Sequence, residues 1–134
     1  MSFLIRIDHE RLPFAVIVDE DGRVAYAYLL YQEAIVGDVW LYNCVPAPSE
    51  PEWHDRSKAP FMNPAGYAKP WAVSITASED IAVSWVEQTG ELQRAEIYWQ
   101  DQLLAVLAPG AKPGWSRNAL KDGPLARVLS SDGL

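Results

Sequence analysis

IAVSWVEQTGELQRAEIYWQDQLLAVLAPGAKPGW, residues 81–115, alternates between apolar and polar positions and is broken by short polar turns. Ile81, Val83 and Trp85 share one face of its first segment, and Ala82, Ser84 and Val86 the other. Thr89-Gly90 breaks the run. Ala95, Ile97 and Trp99 then face one way, with Arg94, Glu96 and Tyr98 opposite. Gln100-Asp101-Gln102 turns the chain into Leu103–Leu107, and a Pro/Gly corner follows. Period-two alternation interrupted by such turns predicts an antiparallel meander with one buried face.

Upstream, Phe3–Ile7 predicts a first strand and Phe14–Val18 a second, opened by Pro13. Asp19-Glu20-Asp21-Gly22 predicts a hairpin turn, with Gly22 supplying a positive φ. Arg23–Tyr31 is apolar on both faces, which predicts a central strand covered on both sides. Ala34–Tyr42 predicts a fourth strand with a bulge at Gly37-Asp38. Residues 44–70 hold six of the ten prolines, which a strand ladder cannot accommodate. They also hold Trp53, Phe61, Met62 and Tyr67, so they predict a long loop laid over the sheet rather than a bare linker. Trp71–Thr76 predicts a fifth strand, and Ser116 and Pro124 suggest caps for short helical turns, the last over Leu125–Leu129. The expected fold is mainly β: an antiparallel two-sheet sandwich, or one strongly curved sheet, of about seven to eight strands with a short C-terminal helix. All 134 residues are expected to form one domain.

The formal charge is −7, so non-specific binding to nucleic acid is disfavoured. The charge is uneven. Residues 1–109 carry 7 basic and 16 acidic side chains, whereas residues 110–134 carry 4 and 2. A basic tail on an acidic body predicts a helix packed on an oppositely charged surface. The single cysteine, Cys44, excludes an internal disulfide and suits a reducing compartment. The N-terminal sequence lacks the pattern of a signal peptide, and the longest apolar run, Val24–Tyr31, is too short to span a bilayer. A cytoplasmic protein without membrane contact is expected.

No catalytic or cofactor-binding pattern emerges. His9 and His54 lie outside paired-ligand motifs, so neither a metal nor a cofactor is expected. His9, between Asp8 and Glu10, is expected in an exposed turn. Cys44 and His54 would need the loop to bring them together for nucleophilic catalysis, and a buried, inert thiol is the simpler expectation. Asp19–Gly22 begins like a calcium loop, but the twelfth position is Leu30 rather than Glu. In residues 110–114 the lysine precedes the second glycine, unlike a phosphate-binding loop.

The sharpest remaining feature is Glu50-Pro51-Glu52-Trp53-His54-Asp55. It sets three carboxylates around a tryptophan in a proline-stiffened loop. Trp53 either pins the loop to the core or anchors a partner, while the acids would steer a basic partner. Trp40, Trp85 and Trp99 alternate within strands and are expected in the core.

The C-terminal stretch EIYWQDQLLAVLAPGAKPGWSRNALKDGPLA, residues 96–126, resembles the ends of small bacterial immunity proteins of polymorphic toxin systems, contact-dependent or type VI. The resemblance is one of general character, a short acidic chain rich in Trp and Tyr. It implies a non-enzymatic protein that binds a cognate toxin, expected to be basic and nuclease-like, and blocks its site. The expected contact residues are Glu50, Glu52, Trp53 and Asp55, with the Asp19, Glu20 and Asp21 turn. Three other readings compete: a phage or accessory inhibitor mimicking nucleic acid, a small-molecule-binding β-barrel lined by Tyr26, Tyr28 or Trp85, and a homodimeric subunit.

Overall fold

Alternating segments become strands because one face of each is apolar, and the turns between them fix the register. The computed structural model describes residues 2–70 and 72–130. β1 (Phe3–Asp8), β2 (Phe14–Glu20), β3 (Val24–Tyr31) and β4 (Ala34–Asn43) form one antiparallel sheet in that order. β5 (Ile81–Gln88), β6 (Glu91–Trp99) and β7 (Gln102–Leu107) form a second meander. β8 (Trp115–Ser116) pairs antiparallel with β7, and β9 (Arg127–Val128) runs parallel to β8. The fold is thus mainly β, with four strands in one sheet and five in the other among the described residues.

The turns show why the meanders are tight. Gln32-Glu33, Thr89-Gly90 and Gln100-Asp101 all have positive φ at both residues. That geometry matches the twist of the flanking strands, and only one of the three turns uses glycine. Along β4, register shifts leave Val36 and Leu41 as extra residues, whereas Gly37 and Asp38, the expected bulge position, pair regularly with Leu29 and Tyr28.

The two sheets share one apolar core. Val16, Val18, Leu29, Val39 and Leu41 meet Ile97, Leu104, Leu107 and Leu92 in a single cluster. Trp40 and Trp99 are buried, and Trp85 packs against the cluster. β4 forms the seam. Val36 and Asp38 accept from Gly110 N and Gly114 N, both at 2.7 Å, and Trp40 N donates to Leu125 O at 2.9 Å. The backbones approach closely here, and glycine fills both sides: Gly37 faces Ala108 O, and Gly114 faces Val106 O. Asn118, 2% exposed, ties the layers together. Its amide donates to Leu41 O and Val73 O and accepts from Val73 N.

Several expectations are corrected. Residues 72–76 carry no strand, because Asn118 holds Val73 as a loop; Trp71 lies outside the described residues. The short C-terminal helix is replaced by β8 and β9. Ser116 donates to Leu41 O rather than capping a helix, and Arg127 N bonds Gly114 O. The basic tail is therefore strand and loop. Its anchor is also different from that expected: the Arg127 guanidinium lies 4.1 Å from the Trp115 ring and donates to Pro113 O.

Residues 44–70 do lie over the first sheet. Tyr26 donates its hydroxyl to Phe61 O, Arg23 donates to Lys58 O and Pro60 O, and Asn43 pairs with the Asn63 backbone. β3 is thereby covered by the second sheet on one face and, at Tyr26, by this loop on the other. Among the described residues no helix is long and apolar enough to cross a membrane.

Candidate partner-binding site

The acids singled out in the sequence are not one surface. Glu20 is 8% exposed; it continues the inward face of Val16 and Val18 and accepts from the Tyr42 hydroxyl at 2.6 Å. Glu52 is equally buried, paired with Arg23 and accepting from Met62 N. Both are scaffold rather than exposed contact residues, which corrects the expected surface. Asp21 caps its hairpin by accepting from Arg23 N and Val24 N. Asp55 accepts from Ser57 N and Oγ, capping the short 3-10 turn Arg56–Lys58. Trp53 is half-buried and meets Tyr67 edge-on at 5.5 Å, so it pins the loop. Glu50 is exposed.

His9 is buried, correcting the exposed-turn expectation. Its Nδ1 accepts from Arg11 N and Leu12 N, which makes Nε2 the protonated nitrogen and the donor to Glu87 at 2.7 Å. With both nitrogens committed, the ring locks the β1–β2 turn onto β5 and Trp85. Cys44 bonds Glu20, not His54. Burial and the Glu20 carboxylate push its thiol up to about 12. Native Cys44 should therefore react with a disulfide reagent at pH 8 about a hundredfold more slowly than in urea. Comparable rates would show that the thiol is open. Among the described residues no group of three or more His, Cys, Asp or Glu is placed to hold a metal ion.

A different feature emerges on the outer face of the first sheet. The register sets Asp19 opposite Tyr26 and Asp38 opposite Tyr28, so two carboxylates sit diagonally across a tyrosine pair. The rings lie 6.1 Å apart and nearly parallel, at 13°. Ala59, Pro60 and Phe61 from the loop and Pro124 and Leu125 from the tail wall this floor into a groove of about 520 Å³. That size lies within the range of ligand sites. The sequence marks Asp38 only as part of an expected bulge, although its pairing with Tyr28 puts it on this face.

The groove is electrostatically strained. Burial raises the Asp38 carboxyl above its ordinary value, and the charge of Lys112 only partly offsets this. Burial, then Asp19, Asp38 and Asp21, raises the Tyr28 hydroxyl. Among the described residues the Asp19 and Asp38 carboxylates form no ion pair and accept no hydrogen bond, and the Tyr28 hydroxyl has no partner. Nearby Arg23 is committed to Glu52 and two carbonyls. The tyrosines thus line an open outer groove rather than a barrel interior. Compared with known proteins, the chain matches no family model, no curated protein and no solved structure.

Proposed function

We propose that this protein binds a basic bacterial toxin domain and neutralises it by direct contact, as an immunity protein does. The observation that carries the reading is the groove of Asp19, Tyr26, Tyr28 and Asp38, whose carboxylates lack partners among the described residues. A half-buried carboxylate without a partner costs stability in the free protein, and a cationic partner removes that cost. The net charge of −7 steers a basic protein toward it and speeds association. Tyrosine rings and loop walls exclude water and slow dissociation. Bound there, the protein would cover the basic substrate surface of its target.

The test pairs the protein with the product of the adjacent gene in a binding assay and a growth-protection assay. Asp19→Lys with Asp38→Lys is expected to weaken binding about a hundredfold or more and abolish protection. Glu50→Lys with Asp55→Lys is expected to change affinity about threefold or less, because both side chains are solvated. Full protection by the groove variant would remove this surface from the account.

A further inference from the structure

We infer that the groove is a seat for one arginine side chain of the protein partner, its guanidinium held between Asp19 and Asp38 and its flat face on Tyr28. This rests on the binding reading above and adds the chemical identity of the contact.

The pleat sets the geometry. All four residues point to the same face, and the carboxylates occupy opposite corners of a patch three strands wide. Strand spacing and rise place the two aspartate Cα atoms about 12 Å apart. Allowing for the reach of each side chain, one planar fork can meet a carboxylate at either end. Guanidinium carries five donors in a fixed plane, whereas an ammonium is a point charge that satisfies one carboxylate well. The two rings are stacked, 6.1 Å apart and 13° from parallel; Tyr26 is buried under the loop, and half-buried Tyr28 is the ring against which a flat cation stacks. Pro60, Phe61 and Leu125 wall it and would cover the arginine's apolar stem. The unpartnered Tyr28 hydroxyl gives a further acceptor at the rim. The chain's own cations do not occupy the seat: Arg23 is bound elsewhere, and Lys112 acts on Asp38 through its charge without an ion pair.

The experiment titrates the full chain with acetyl-Gly-Arg-Gly-amide, followed by NMR, alongside otherwise identical lysine and norleucine peptides. Saturable shifts are expected at the Tyr26 and Tyr28 rings and at the amides of Ala59, Phe61 and Leu125. Arginine should bind at least about threefold tighter than lysine, and norleucine should give no saturable shift. Asp19→Asn with Asp38→Asn should weaken the arginine peptide about tenfold or more while the chain still melts cooperatively. No shift, equal binding of norleucine, or arginine binding indifferent to the double variant overturns the seat. If the arginine peptide fails but Asp19→Lys/Asp38→Lys still abolishes toxin binding, the arginine seat falls and the neutralising reading stands. If the peptide binds and the toxin does not, the reverse holds.

Discussion

Gly114→Ala is expected to cost about 3 kcal/mol and to lower the Tm by about 10 °C. A Cβ built at Gly114 meets the Val106 carbonyl closer than real Cβ atoms approach, and the obstacle is backbone, not a mobile side chain. Gly114 is also where three elements meet: its N–H donates to Asp38 O of β4, its carbonyl accepts from Arg127 N of β9, and Val106 belongs to β7. Relief requires the seam between the sheets to open. Gly22→Ala provides the contrast. It has open space but a φ of +90°, so only local strain of about 1 kcal/mol is expected. Urea unfolding of both variants checks this. A Gly114→Ala protein melting within about 2 °C of the parent would contradict the seam.

The second large effect falls on a residue whose sequence context suggests an exposed contact. Glu52→Lys is expected to cost about 3 kcal/mol, because it buries a cation against Arg23 and orphans Met62 N. Glu52→Gln, keeping shape but not charge, should cost about half as much. Burial by itself would raise the Glu52 carboxyl, but the Arg23 bond, the Met62 N–H and the charges of Arg23 and Lys58 hold it below its ordinary 4.5. The folded state thus binds the Glu52 proton less tightly than the unfolded chain. Its contribution is complete above pH 4.5 and is lost as pH falls through the folded value. Glu87, depressed by Arg11 and His9, acts in the same direction. Chemical denaturation from pH 7 to 3 should show stability falling below about pH 4.5, less steeply in Glu52→Gln. An unchanged acid limb in that variant would mean the pair contributes nothing.

These two cases mark what was legible in the sequence. The β5–β7 meander could be read directly because β5 and β6 alternate over most of their length and short turns at Thr89-Gly90 and Gln100-Asp101 separate the strands. The two-residue strands β8 and β9 are too short to carry a period, and their parallel pairing depends on Gly114 and Asn118 reaching β4 and Val73. Glu20 was recoverable, since counting by two from Val16 and Val18 places it inward. Glu52 was not, because a proline-rich loop has no period to say which side chains turn in. His9 looked like a solvated turn residue among charges; two backbone N–H groups and Glu87, distant in sequence, decided its burial. Asp19 was identified as a contact residue by its charge, while Asp38, its diagonal counterpart, becomes visible only once β3 is registered against both neighbours.

The groove claim implies that Asp38 acts against stability and for binding. Its raised carboxyl means the folded state holds the proton more tightly, so ionised Asp38 costs stability at neutral pH, a cost relieved as pH falls through its folded value. The most direct measurement is therefore Asp38→Asn, with thermal unfolding at pH 7 and arginine-peptide binding recorded on the same sample. The expected result is a Tm equal to or above that of the parent, together with binding weakened about fivefold or more. A lower Tm with unchanged binding would show that Asp38 supports the fold and that the groove is not a site.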